Sequence, residues 1–171
     1  MTSFMWEKIR STFESYPERL KVARTLLENG LCIRGDRIFL NQIEIPTAKV
    51  ARAAGVDRRT VGETLRMVNA DSQLRAIFSQ LESAGPSLLG IAKQLGLGVV
   101  EITADDPNRV GILAGAARLL AEAGISIRQA LVDDPELHPE PKLVLIGGRT
   151  VPGKIIPELL KIEGVAKVSV Y

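Results

Sequence analysis

The 171-residue sequence predicts an α+β fold, a helical first half followed by strand, helix, strand, strand, helix, strand. Three patterns carry that prediction. Val99–Ala104 is a β-branched run that stops at the turn-formers Asp105-Asp106-Pro107-Asn108. Gly111–Gly124 then switches to helical spacing, with Ile112, Leu113, Ala116, Leu119, Leu120 and Ala123 on one face. In the first half, Val61, Leu65 and Val68 recur at i, i+4 and i+7, an inward stripe just after a glycine at Gly55.

Taken in order, the chain opens on an amphipathic segment without a signal-peptide core, where Trp6 and Phe13 anchor a terminal helix. Tyr16–Asn29 reads as a helix: Pro17 suits its first turn, Leu20, Ala23 and Leu27 share a face, and Gly30 stops it. Leu31–Leu40 holds two short apolar runs around Gly35-Asp36, a small hairpin. Thr47 is expected to cap a short helix with Val50 and Ala51 inward. Gly55 supplies a left-handed turn, Val56 plugs the corner, and Asp57 caps a second helix. Gly62 inside that helix costs about 1 kcal/mol relative to alanine, and Thr64 sits at an otherwise apolar place beside Leu65. Asp71–Ser83 reads as another helix.

Ser83-Ala84-Gly85-Pro86 marks a break, and Ser87 can cap a short helix over Leu88–Leu95. The expected organisation is a helical domain over 1–83, a partly helical and stiff linker over 84–98, and a second domain over 99–171. In that domain Ile125–Val132 and Lys142–Gly147 alternate as strands, joined by a Pro-rich connection. Val151–Leu160 is a helix with Pro152 in its first turn, though Pro157 favours a start one turn later. Gly164 ends it, and Val165–Tyr171 alternates as the last strand. This order is the split βαβ, ferredoxin-like pattern. Helices on one face leave the other face and an edge to be covered, so a homodimer or higher homo-oligomer is expected.

Composition sets outer limits. With 46% hydrophobic and 25% charged residues the chain reads as globular, not disordered. No apolar run approaches the ~20 residues that span a bilayer, and Cys32 is alone, so neither disulfides nor a cysteine zinc site are expected. A cytoplasmic location with no membrane partner follows. Residues 1–78 hold 13 basic and 9 acidic side chains, residues 79–171 hold 9 and 11. The basic first half is a modest pointer to an anionic partner.

The run Asp106-Pro107-Asn108-Arg109-Val110-Gly111-Ile112-Leu113, followed by Ala123-Gly124-Ile125-Ser126-Ile127, resembles the ACT domain family of small-molecule-sensing modules in amino-acid metabolism. The resemblance covers residues 99–171. One departure is visible: Asn108-Arg109 separates Pro107 from Val110, where many relatives pass directly through Pro-Gly. The resemblance implies an effector, an amino acid, bound between subunits near this loop and the start of the following strand. The residues so implied are Asp105, Asp106, Asn108, Arg109, Val110, Gly111, Ile112, Ser126 and Ile127. Unpaired N–H groups at the start of the Gly111 helix favour a carboxylate, and Asp105, Asp106 or Asn108 can hold an ammonium. The plainer alternative is that Asp106 only caps this helix and Gly111 only eases the turn.

Ala51, Gly55, Val56 and Val61 fall at the small, glycine and apolar positions of the helix-turn-helix, and residues 46–68 resemble that family of DNA-binding domains. Under this resemblance Arg58, Arg59, Thr60, Glu63 and Arg66 face base edges and phosphates, while Lys49 and Arg52 meet the backbone. The alternative is a helical hairpin that only packs, with the arginines solvated.

No catalytic constellation emerges, and neither cofactor nor metal is expected. His138 is the sole histidine, and the acidic, Pro-rich loop around it reads as a solvated tip. Gly147-Gly148-Arg149 reads as a strand-ending turn. The sequence therefore points to a non-enzymatic, ligand-responsive regulator of amino-acid metabolism acting on DNA. The competing reading is a regulatory subunit that docks on a metabolic enzyme.

Overall fold

The computed structural model describes residues 4–171, with side chains from Trp6 onward. The fold is mixed α and β with two antiparallel sheets, and the chain divides into two compact units, Met1–Gly85 and Pro86–Tyr171. Among the described residues no helix is long and apolar enough to cross a membrane.

The first unit begins with α1 (Phe4–Phe13) and α2 (Pro17–Glu28). Trp6, Ile9 and Phe13 of α1 are buried together with Val22, Ala23 and Leu26 of α2, as the apolar spacing requires. Gly30, at φ 61°, turns the chain into β1 (Leu31–Arg34), which pairs with β2 (Arg37–Leu40). The expected hairpin is extended by a third strand, β3 (Ile43–Ile45), paired with β2. Asn41 makes this possible by adopting φ 53°, a left-handed conformation that asparagine tolerates. Three residues are too few to leave a periodic signal, which is why the sequence does not reveal β3.

Next come α3 (Thr47–Ala54), α4 (Arg58–Ala70) and α5 (Ser72–Ser79). Gly55 closes α3 at φ 67°, and its N–H and that of Val56 bond back to the last turn of α3. Asp57 caps α4, accepting from the Thr60 N–H at 2.8 Å. Thr47 does not cap α3. Pro46 holds that position, and the Thr47 hydroxyl instead accepts from Arg58 Nε at 3.1 Å. Val61, Leu65 and Val68 are buried as their spacing demands, and Thr64 is buried with them. Its hydroxyl donates to the Thr60 carbonyl, so a polar group enters the core already satisfied. Asp71 caps α5 through the Gln73 and Leu74 N–H groups, and α5 ends four residues short of Ser83.

The second unit is a four-stranded sheet in the order β5-β6-β4-β7, with β4 Gly98–Ala104, β5 Ile127–Val132, β6 Lys142–Gly147 and β7 Val165–Val170. Two helices, α6 (Ile112–Glu122) and α7 (Ile156–Leu160), pack on one face. Val100, Ile102, Leu143 and Leu145 meet Ala116, Leu120 and Leu159 there. Pro157 lies in the first turn of α7, which a 3-10 turn at Gly153–Ile155 precedes, so the later helix start holds.

The other sheet face is covered in part by the chain itself. Where the sequence reads as a linker with a helix over Leu88–Leu95, only Leu89–Ile91 forms a 3-10 turn. Leu88, Leu89, Ala92 and Leu97 pack on Val99, Val144 and Ile146. Gln129 fastens this segment, donating to the Pro86 carbonyl and accepting from the Leu88 N–H. Gly90 and Gly96 disfavour a longer helix, and burial of the leucines favours the irregular path.

Candidate functional site

Two places concentrate the predicted residues, one in each unit. In the first, α3 and α4 are joined at Gly55, and the buried stripe of α4 fixes which side faces solvent. Arg59 and Arg66, seven residues apart, point directly away from that stripe, and both are exposed. The Arg59 side chain is 86% exposed. Gly62 lies on the same outer side, and a Cβ there would meet nothing within 4 Å. Lys49, Arg52 and Arg58 are also exposed, while Thr60 is half-buried and its carbonyl and N–H serve the helix and its cap.

Glu63 has a different environment from the one its sequence position suggests. It is half-buried and accepts from Arg19 at 2.7 Å and from Arg59 at 3.0 Å. Arg19 also donates to Met67 Sδ at 2.8 Å and stacks over the Tyr16 ring at 4.2 Å, so it ties α2 to α4. The Arg19 hydrogen bond, then that of Arg59, holds the Glu63 carboxyl below its ordinary range. Its negative charge is therefore spent inside the unit, and the outer side of α4 is left net basic. The bond from the Thr60 N–H likewise lowers Asp57. Arg19 was beyond the reach of sequence reasoning: 44 residues separate it from Glu63, and no periodicity links them.

The second place is the loop between β4 and α6. Asp106 does not cap α6. Its Oδ1 accepts from the Asn108 N–H at 2.9 Å in a local turn, and Gly111, at φ 96°, holds the cap position without a side-chain bond. Arg109 crosses to pair with Glu163, and its stem lies where a Cβ at Gly164 would be. Beneath the loop is a cavity of about 130 Å³. Ile102, Ala104, Ile112, Val132, Pro141 and Leu143 line it, with Arg109 and Asp133 also contributing. Asp133 accepts from the Lys142 N–H through Oδ2.

Of the predicted ligand residues, Arg109, Gly111 and Ile112 line this cavity. Asp105, Asp106, Asn108 and Val110 are exposed on the loop outside it. Ser126 and Ile127 lie elsewhere. Ile127 pairs with Gly147, which pairs with Gly98, whereas the loop follows Thr103, the partner of Lys142. Five strand steps, roughly 17 Å, separate the two groups within one copy. Sequence reasoning does not reach the cavity-lining Val132, Asp133 and Pro141, because Val132 ends β5 and the other two bound the following loop, which reads as solvated. Around His138 the described residues bring no three His, Cys, Asp or Glu side chains into a metal-binding group. Arg149, two residues after β6, donates to the Ala123 and Gly124 carbonyls at the C-terminus of α6.

No protein-family model matches the chain, and no curated protein does. Among solved structures, one described as a transcriptional regulator is 17% identical over 90% of this chain and 88% of its own, with a TM-score of 0.28. A transcriptional regulatory protein from Pyrococcus furiosus, a member of the AsnC family, is 8% identical over 100% of this chain and 88% of its own, with a TM-score of 0.27.

Proposed function

We propose that the chain is a ligand-responsive transcriptional regulator of amino-acid metabolism, with a helix-turn-helix in its first unit and an ACT-like, ferredoxin-like second unit. The observation that carries the reading is the outer side of α4: Arg59, Gly62 and Arg66 in line, with the Glu63 charge neutralised from behind. A helix presented after a left-handed glycine turn, basic and uncluttered on its free side, suits the major groove. Arg59 and Arg66 supply forked donors for guanine or phosphate, and Lys49, Arg52 and Arg58 add phosphate contacts.

The strand order β5-β6-β4-β7 with both helices on one face supports the ferredoxin-like reading. The uncapped start of α6 and the cavity beside it support an amino acid as effector. The free β5 and β7 edges suit a homodimer, whose two-fold symmetry would match paired half-sites. Effector and DNA are coupled only if the effector binds the two DNA-affinity states unequally.

The test is fluorescence anisotropy of the full chain on duplexes enriched from a random pool, with and without a mixture of amino acids. Selective duplex binding whose affinity changes with the mixture supports the proposal. A chain that binds no duplex at low salt, yet co-purifies stoichiometrically with a metabolic enzyme, replaces it with the docking-subunit reading.

A further inference from the structure

We infer that Arg19, on α2, is the positioning residue that makes Arg59 available to a DNA phosphate; this rests on the DNA reading above and specifies what controls one of its contacts. The arrangement is a chain of three charges. Glu63 sits between two arginines, accepting from Arg19 Nη2 through Oε2 at 2.7 Å and from Arg59 Nε through Oε1 at 3.0 Å. The two bonds are not alike. The Arg19 and Glu63 side chains are 23% and 24% exposed, whereas Arg59 is 86% exposed. Water and salt screen the outer pair far more than the sheltered one. Arg19 is also held from two further sides, by Met67 Sδ at 2.8 Å and by the Tyr16 ring at 4.2 Å. The inner pair therefore persists where the outer one yields.

What this does for Arg59 follows from charge and geometry. One carboxylate cannot cancel two guanidinium groups, so with Arg19 in place the trio is net positive and Arg59 is its exposed end. Without Arg19 the remaining pair would be neutral, and Glu63 would repel a phosphate. Glu63 also aims the side chain. With Nε engaged, the N–H groups of the two terminal nitrogens remain as a fork for two phosphate oxygens. The setting of Arg59 agrees with an anionic partner. The first turn of α4 carries Arg58 and Arg59 and no acid, against a helix dipole that favours negative charge there. Glu63 follows Arg59 by four residues, the weaker order for an ion pair on a helix. A phosphate beside Arg59 therefore improves on what α4 supplies by itself.

The experiment is a salt titration by fluorescence anisotropy of the full chain on one duplex enriched from a random pool. With five cations per copy set against phosphates, going from roughly 50 to 200 mM salt should weaken the unaltered chain about 500-fold, and losing one of them lowers this to about 150-fold. Arg19→Gln, which removes none of the five, should give the lower figure. Arg19→Lys should keep the higher one, since an ammonium still stands behind Glu63 although it lacks the fork that also reaches Met67. Glu63→Gln should keep the higher figure too, alone or combined with Arg19→Gln, because no carboxylate is left to cancel Arg59. Glu63→Gln retains Arg19 and decides the matter even if Arg19→Gln folds poorly. Steepening to about 1,800-fold in Glu63→Gln would mean that Glu63 had been cancelling a cation all along, and overturns the role of Arg19. So does an unchanged slope in Arg19→Gln, an Arg19→Lys slope as shallow as that of Arg19→Gln, or no recovery in the Arg19→Gln, Glu63→Gln pair. Each of these leaves the DNA reading standing. No duplex binding by the unaltered chain at low salt overturns both.

Discussion

Removing Arg59 and Arg66 together should change how steeply DNA binding depends on salt, more than any single affinity value. Five cations, Lys49, Arg52, Arg58, Arg59 and Arg66, are exposed, and under the proposed function each copy would set them against phosphates. At about 0.9 released counterions per phosphate, log affinity should fall against log salt with a slope near −4.5 per copy. Raising salt from roughly 50 to 200 mM then weakens binding about 500-fold. The Arg59→Ala, Arg66→Ala double variant keeps three cations, so its slope relaxes to about −2.7 and the same change costs only about 40-fold. Neither side chain is buried, and the Glu63 carboxylate that Arg59 bonds is still held by Arg19, so thermal stability should barely move. The assay is a salt titration by anisotropy on one fixed duplex, beside a thermal melt. An unchanged slope in a folded double variant would mean that the outer side of α4 does not touch DNA.

Other expectations are sharper on stability. Gly62→Ala should stabilise the first unit by about 1 kcal/mol, since helix propensity improves and the new methyl meets nothing; the melt should rise by about 4–8 °C. If the glycine is there to let a duplex approach, the same variant loses DNA affinity while gaining stability. Gly30 and Gly35 share φ 61°, but a Cβ at Gly30 would lie 2.7 Å from the Glu82 carbonyl oxygen while one at Gly35 meets nothing. Gly35→Ala should therefore cost about 1–2 kcal/mol, the left-handed penalty alone, and Gly30→Ala clearly more, as urea melts would show. Desolvation of the hydroxyl end of Tyr171, a residue otherwise 58% exposed, is reinforced by the 2.5 Å bond to Glu101 and pushes the phenol up to about 12 from 10.0. The folded value is the higher one, so its stabilising contribution is whole below pH 10 and is lost as pH rises through about 12. Glu101→Gln should bring the phenolate absorbance titration part of the way back, because the desolvation of the hydroxyl remains.

The parts of the fold legible in the sequence are those governed by near neighbours. Gly55, Asp57 and the Val61, Leu65, Val68 stripe form one local argument, and each occupies the place that argument requires. Val99–Ala104 was equally plain, being a β-branched run with a stop. What escaped was set by distant partners. Pro86–Leu97 is weakly patterned, and its course depends on Val144, Ile146 and Gln129 about forty or more residues away. The environment of Glu63 depends on Arg19, and the pocket walls come from β4, α6, β5 and β6 at once. Thr47 and Asp106 show the converse limit. Both have capping chemistry in a capping place, yet other hydrogen bonds claimed their oxygens.

The boundary between the units also bears on anyone who would graft one unit onto another protein. The Ser83 N–H is held by Asn41 Oδ1, and the Glu82 backbone rests against the Gly30 turn, so residues through Ser83 must travel with the first unit. The Pro86 carbonyl is held by Gln129, so the second unit must bring Pro86 with it. Between those fastenings lie Ala84 and Gly85, with a long 3.5 Å bond from the Gly85 N–H to Ser83 Oγ. A chimera spliced there keeps the Asn41 and Gln129 bonds each within its own unit, whereas a cut a few residues either way strands a donor or an acceptor on the wrong parent.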